Sequence, residues 1–337
     1  MCAPSHNAPG TARATVAHVA SAPIIVAGEA LYDLVVIDEH GTLAGHPGGG
    51  PFNTARTIGR LGQPVAYLGR LSTDGPGATL ERMLAGDGVG LEAVVRTGQP
   101  TTLALADVDD SGGASYRFYV GGTSAAGLTQ EAALHALPAD VSALHVGALG
   151  LVLEPLATAL EAVVARLAGR ALVAVDPNCR PAAIDDAAGY SARLARVLEH
   201  SDLVKVSEED LAWLDPQRAA LDAARDLLAL GPAVVLLTRG AEGATVLTAQ
   251  ETVDVAPVAA GVVDTIGAGD AFNGGFLAWW RSRELGRDDL GRLDLVVEAA
   301  RFAAIVAART VEQAGASPPL LAPGITAGEP LGAGSVQ

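Results

Sequence analysis

Asp270 closes the segment Asp264-Thr265-Ile266-Gly267-Ala268-Gly269-Asp270, and an apolar run from Ala271 through Phe272, Asn273 and Phe276 to Trp279 and Trp280 follows it. Glycines at this spacing let consecutive backbone N–H groups converge on an anion, and a helix N-terminus behind them adds its positive end. A carboxylate in the first turn then stands beside a bound phosphate, where it can accept the proton of an attacking hydroxyl. A Gly-Asp pair by itself is equally a turn with an aspartate cap. The full spacing is what favours a phosphate nest.

A second glycine run, Gly48-Gly49-Gly50-Pro51-Phe52-Asn53-Thr54-Ala55, leaves backbone exposed ahead of a proline suited to a first helical turn. Asn53 brings a donor and an acceptor, and Asp33, after Gly28-Glu29-Ala30-Leu31-Tyr32, brings two acceptor oxygens. That combination suits vicinal sugar hydroxyls. Taken singly, Asn53 is also a helix-start residue and Asp33 a surface turn. Two rival nucleotide motifs fail. The chain holds one lysine, Lys205, followed by Val206-Ser207 and not preceded by glycines, which excludes a Walker A loop. Gly267 and Gly269 have Phe272 at the third glycine position and lie late in the chain, so a dinucleotide fingerprint is disfavoured.

The elements that must carry these residues are legible as an alternation. Ile24–Ala27, Ala143–Val146, Leu172–Val175, Leu203–Val206 and Val234–Leu237 read as buried strands, and Glu154–Leu167, Ser191–His200 and Pro216–Leu230 as helices between them. Such alternation predicts a doubly wound α/β fold with a mainly parallel sheet. Its strand ends open into Gly28-Glu29, Asp176-Pro-Asn, Ser207-Glu and Thr238-Arg-Gly, which should line one crevice. Residues 33–47 and 101–120, the latter with its Asp109-Asp-Ser-Gly-Gly113 turn, read as antiparallel hairpins that form a small lid or simple edge strands. Residues 1–21 and 317–337 lack periodicity and read as loosely ordered tails around a domain of residues 22–316.

A net charge of −16 argues against nucleic acid or an anionic membrane as partner, so a bound polyanion needs locally created positive potential. Two cysteines, Cys2 and Cys179, make no disulfide framework, and with no signal-like or spanning apolar run the expected location is cytoplasmic.

In combination, these segments resemble the ribokinase-like, PfkB-type carbohydrate kinases, nearest to bacterial fructokinases, in order over residues 24–316. Gly48–Ala55 is similar to the family's N-terminal glycine signature, Asp264–Asp270 to its C-terminal signature, and Gly69-Arg-Leu-Ser-Thr-Asp74-Gly-Pro-Gly77 to a segment between them. The fructokinase-like features are Gly28-Glu-Ala-Leu, Tyr116-Arg-Phe-Tyr119 with Gly122-Thr123, and Asp176-Pro-Asn-Cys-Arg180-Pro181.

The resemblance implies a ribokinase-like sheet flanked by helices with a small β lid, and an ATP-dependent kinase using ATP and Mg²⁺, with room for a monovalent cation such as K⁺. It implies Asp270 as base, with the backbone of Gly267, Ala268 and Gly269 as anion hole. Asp33, Gly49, Asn53, Tyr119, Asn178 and Arg180 would hold the sugar; Lys205, Ser207, Thr238, Gly240 and Gly243 would hold the nucleotide. Where the family often has Asn-x-x-Glu, this chain has Ser207-Glu208-Glu209-Asp210. Asp210 then serves Mg²⁺ only through water, with Glu209 a possible substitute.

The expected reaction is in-line transfer of the ATP γ-phosphoryl group to a sugar hydroxyl, with an aspartate near its ordinary pKa sufficing as base. Fructose is the first acceptor; 2-keto-3-deoxygluconate is the alternative, because Arg180 could pair with its carboxylate. A sugar sensor without turnover on the same fold is a third reading, and a homodimer through the lid strands is compatible with the pattern.

Overall fold

The computed structural model describes residues 22–38, 40–108 and 114–320. Runs that are apolar at every position can only be satisfied inside a sheet covered on both faces. They form one here. The order along the chain is β1 (Ile24–Ala27), β2 (Leu31–Val36), β3 (Leu43–Gly48), α1 (Gly50–Arg60), β4 (Val65–Ser72), α2 (Gly75–Gly86), β5 (Val94–Thr97), β6 (Leu103–Val108), β7 (Ala114–Tyr119), α3 (Gln130–Ala136) and β8 (Ala143–Gly147). Then come α4 (Leu156–Leu167), β9 (Leu172–Asp176), α5 (Ala187–Glu199), β10 (Leu203–Ser207), α6 (Glu208–Leu214), α7 (Ala220–Leu228), β11 (Val234–Thr238), β12 (Ala244–Leu247), β13 (Thr252–Val255), α8 (Ala268–Ser282) and α9 (Leu293–Val311).

The large sheet runs β13-β12-β11-β10-β9-β8-β1-β4-β5. Strands β5 to β11 of that order are parallel, and the β12–β13 hairpin closes one edge antiparallel. All five sequence-read strands are present. The helices differ at their ends: α5 starts at Ala187 because Asp186 caps it, accepting the Gly189 N–H at 2.9 Å. Strands β4, β5, β12 and β13 have no counterpart in the sequence reading.

One face of the sheet packs Ile24, Val26, Leu236 and Val246 against α1, α8 and α9 through Phe52, Ile58, Phe276, Trp280 and Val306. The opposite face packs Ile25, Leu144, Val173 and Val204 against Leu160, Val163, Leu194 and Leu198. Helix α8 is wedged between its neighbours. A Cβ on Gly274 would lie 2.5 Å from Thr57 Cβ, and one on Gly275 3.0 Å from Ala303 Cα. Two mid-helix glycines each cost about 1 kcal/mol of helix propensity, and what they permit is this close approach.

The second sheet has the order β3-β2-β6-β7. Its outer pairs are antiparallel, as expected, but the β2–β6 pair joining them is parallel, so the two hairpin segments make one four-stranded lid. The connection is fixed at its base by Asp74. That side chain accepts from Gly77 N at 2.8 Å as the α2 cap and from Thr101 N and Oγ1 at 2.8 and 2.6 Å.

Ser317–Leu320 do not stand off as a loose tail. Pro318 and Pro319 are buried, and Arg60 Nε donates to Pro318 O at 2.6 Å. The expected turn at residues 109–113 and the tails at 1–21 and 321–337 lie outside the described residues.

Candidate active site

The carboxyl ends of β1, β8, β9, β10 and β11 open on one side of the sheet, and α8 delivers its N-terminus there. Gly267 takes a left-handed φ of 79°, and a Cβ at this position would also meet Ala316 Cβ at 2.6 Å. The turn therefore requires glycine twice over. Ala268 N–H reaches Thr265 O at 3.3 Å. The N–H groups of Gly269 and Asp270 find no acceptor among the described residues. They are free donors at a positive helix end, as an anion site requires.

Asp270 lies behind them, buried at 8% exposure. Asn53 Nδ2 donates to its Oδ2 at 3.0 Å, and Thr54 Oγ1 donates to its backbone carbonyl at 3.3 Å. The two signatures, 217 residues apart in sequence, thus meet in one hydrogen bond. Asn53 Oδ1 is buried without a partner. An orphaned acceptor next to a carboxylate is a place for a hydroxyl that donates to one of them.

Burial pushes the Asp270 pKa up to about 6; the Asn53 hydrogen bond pulls the other way, the Asp176 charge adds to the rise, and Arg180 and Lys205 oppose it. The ordinary pKa expected from sequence is corrected here, because the site is drier than a surface crevice. Asp33 is likewise raised to about 6 by burial, with Arg180 and His46 opposing.

Only the ionised Asp270 can take a proton, so kcat with saturating sugar should fall tenfold per unit below about pH 6. Below the same pH kcat/KM should fall more steeply, approaching two protons, as Asp33 loses its charge in the same window. Rate profiles from pH 4.5 to 8.5 check this; a flat kcat down to pH 5 would refute the assignment of the base.

Residues around Asp270 form the rest of the pocket. Gly49, with φ 112°, lies so close to β1 that a Cβ would be 2.6 Å from Glu29 O. Gly50 starts α1, and a Cβ there would sit 3.2 Å from Asp270 Oδ1, 3.2 Å from Asn178 Nδ2 and 3.3 Å from Ala148 Cβ. The backbone is bare where three chemically distinct walls converge.

Glu29, 2% exposed, accepts from Gly150 N at 2.9 Å and Gly50 N at 3.3 Å, pinning the glycine turn to the β8 end. Burial raises its pKa to about 8. Arg180 Nη1 folds back on Asn178 Oδ1 at 2.6 Å and on Cys179 O at 3.1 Å. Among the described residues it has no carboxylate within ion-pair distance. It is a cation held ready at the crevice. Sequence reasoning placed Glu29 at the crevice without a role and missed Gly50 and Ala148 as pocket walls; the orphaned Asn53 oxygen is visible only in three dimensions.

The lid brings Asp33 over this pocket but not Tyr119. Asp33 pairs with His46 and Ala104, and Ala104 with Phe118, so these share the inward face with Tyr116. Tyr116 feels the charges of Asp33 and Arg180. Tyr119 pairs with Leu103 on the outer face and is 48% exposed. Strand alternation makes Tyr116 the tyrosine that faces the pocket.

Lys205 lies 5% exposed beneath α8. Ser207 caps α6 in a capping box: its Oγ accepts the Asp210 N–H at 3.1 Å and donates to Asp210 Oδ2 at 2.8 Å. Asp210 Oδ1 accepts Cys179 N at 2.6 Å. Both carboxylate oxygens are therefore engaged, Oδ1 in bracing the Asp176–Arg180 loop and Oδ2 in the α6 cap, which leaves Asp210 at most a water-mediated role toward a metal. Among the described residues no three His, Cys, Asp or Glu side chains converge on a metal position.

Thr238 ends β11, and Gly240 and Gly243 turn the chain with φ 52° and 90°. In the segment leading to α8, Val258, Val262, Val263 and Ile266 are exposed at 37, 63, 66 and 52%.

Residues 21–323 match the model of the pfkB family carbohydrate kinases. A fructokinase from Rhizobium leguminosarum bv. trifolii is 38% identical over 259 residues, 76% of this chain and 78% of its own. Among solved structures, fructokinase from Xylella fastidiosa with bound ATP superposes with a TM-score of 0.80 at 28% identity, covering 87% of this chain and 93% of that one. Fructokinase from Vibrio cholerae O395 in its fructose, ADP and calcium ion bound form gives 0.76 at 27%, covering 88% and 95%.

Proposed function

The chain belongs to the pfkB family of carbohydrate kinases, and on that premise we propose that it transfers the γ-phosphoryl group of ATP to a hydroxyl of fructose. The observation that carries the reading is the Asp270 carboxylate, fixed by Asn53 at 3.0 Å beside the free N–H groups at the start of α8. A sugar hydroxyl between Asp270 and the γ-phosphate loses its proton to Asp270 as its oxygen bonds the γ-phosphorus and the bond to the β–γ bridging oxygen breaks, releasing ADP. The free N–H groups of Gly269 and Asp270, at the end of the Gly267–Asp270 turn, receive the charge of the transferring group.

Asp33, Gly49, Asn53, Asn178 and Arg180 hold the sugar, joined by Tyr116 from the lid. Thr238, Gly240 and Gly243 border the nucleotide, and Ser207 sits at the neighbouring strand end. Mg²⁺, when bound, neutralises phosphate charge. Asp210 suits it only through water, and this ion retains several waters. Closing the lid would exclude water from the reacting group.

The fructose reading is supported by the fructokinases among the relatives, and Arg180 supports a sugar acid such as 2-keto-3-deoxygluconate as the second reading. ADP release from MgATP across fructose, 2-keto-3-deoxygluconate, ribose and adenosine separates them; repeating it in K⁺ and tetramethylammonium salts tests a monovalent cation requirement. Fructose-dependent release with the highest kcat/KM is the expected outcome. Binding of sugar without turnover on any member would sink the kinase reading in favour of a sensor.

A cytoplasmic homodimer completes the proposal. Val36, Leu43 and Tyr119 stand exposed at 43, 49 and 48% on the outer lid face, which a second copy would cover. Sedimentation should give a dimer, and Leu43→Glu with Val36→Glu a monomer; a monomeric wild type would refute it.

A further inference from the structure

Of 22 Lys and Arg residues the chain has a single lysine, and it is buried. Lys205 Nζ lies 3.1 Å from Asp176 Oδ2 and 3.4 Å from Oδ1. Asn273, on α8 three residues after Asp270, donates its Nδ2 to the same Asp176 oxygen at 2.7 Å. A Cβ on Gly269 would be 3.0 Å from Nζ, so the ammonium rests directly against the backbone of a residue whose N–H has no acceptor.

Stability does not explain this arrangement. Replacing a buried ion pair by apolar side chains is commonly neutral or stabilising. Everywhere else the chain uses arginine, whose planar fork suits exposed and bidentate pairs, whereas a compact point charge is chosen here. Burial works against the charge of Lys205, and the neighbouring Asp176, Asp210 and Asp270 hold it on.

Resting on the kinase reading above, we propose that Lys205 is a fixed cation behind the anion hole, offsetting the charge that arrives with the transferring phosphoryl group, and that Asp176 and Asn273 are positioning residues for it. Asp176 supplies the counter-charge before nucleotide binds, and Asn273 ties that carboxylate to α8, so the ammonium keeps its place relative to Gly269. The backbone donors then act with a full charge at their back in a medium of low polarity.

The single lysine makes the test direct, since enzyme grown with ¹³Cε/¹⁵Nζ-lysine has one side-chain lysine signal. Adding Mg²⁺, ADP and aluminium fluoride to the whole enzyme with sugar should shift that signal, and the shift should shrink in Asn273→Ala. In steady-state assays Lys205→Met should lower kcat on the order of 100-fold with the sugar KM little changed, and Asn273→Ala should show the same split more weakly. A wild-type enzyme that turns over while its lysine signal ignores the aluminium fluoride complex overturns the inference and leaves the kinase reading standing. So does a folded Lys205→Met variant with wild-type kcat. A wild-type protein that turns over no sugar overturns the kinase reading itself. If Lys205→Met does not fold, the wild-type signal still decides.

Discussion

Asp270→Asn should lower kcat by about 10²- to 10⁴-fold, the range a positioned general base contributes, while sugar and ATP binding persist. The amide fills the same volume, and the backbone N–H groups of Gly269 and of the substituted residue still meet the phosphate. What is lost is the acceptor for the hydroxyl proton. The Asn53 hydrogen bond can be kept by rotating the new amide oxygen toward Nδ2. Stability should not suffer either. The wild-type carboxyl has its pKa raised by burial from 3.8 to about 6, so ionising it costs the fold, and that cost grows as pH rises between those two values. The neutral variant should melt at or above the wild-type temperature at pH 7.5. Stopped assays of ADP and sugar phosphate, with sugar binding by calorimetry, check the split; a variant retaining a tenth of wild-type kcat would remove Asp270 from the role of base.

Gly50→Ala is the second large effect, and it isolates shape from chemistry. Gly50 lies in the first turn of α1 and is not among the residues with positive φ, so alanine suits its backbone. Gly→Ala changes at compatible positions stabilise by about 0.4–1 kcal/mol. The added methyl, however, would project into the convergence of Asp270, Asn178 and Ala148 at 3.2–3.3 Å. It would occupy the space a sugar hydroxyl must enter. A misplacement of about 1 Å at a reacting centre can cost 10²-fold, so kcat/KM for sugar should fall by about that factor with ATP affinity and melting temperature preserved. Unchanged kcat/KM would move the acceptor away from this wall.

These two residues mark what the sequence made legible. The place of Asp270 in the first turn of α8 was readable because it depends on a local pattern, glycines before a carboxylate at a helix start, and local patterns survive in one dimension. Asn53 was found as a polar residue behind glycines. Its bond to Asp270 spans 217 residues, and such a contact is set by how α1 and α8 pack. Gly50 escaped because glycine in a Gly48-Gly49-Gly50 run gives no sign of which member faces the reaction.

The parallel core was visible in its apolar strands, whereas β5 and β13, half-exposed edge strands of four residues, lack a continuous apolar signature. Tyr119 shows the limit of motif reading. Tyr116-Arg-Phe-Tyr119 marks a lid strand, but alternation and register decide which tyrosine turns inward. The metal assignment is similar: at Asp210 the one-dimensional pattern shows a carboxylate, and only the fold shows that Ser207 and Cys179 already engage it.

The segment around Ala316 bears on how the enzyme is made. Arg56 Nη1 donates to Ala316 O at 3.2 Å, Arg60 to Pro318 O at 2.6 Å, and Asp87 clamps both arginines at 2.6 and 3.0 Å. Gly315 N–H in turn reaches Asp264 Oδ2 at 2.9 Å, beside the glycine turn that starts α8. Arg56 and Ala316 are 260 residues apart, so at about 5–20 residues per second of synthesis helix α1 waits tens of seconds for the strand of chain that locks it. A nascent chain long enough to contain Asp270 therefore still has an unfinished phosphate site.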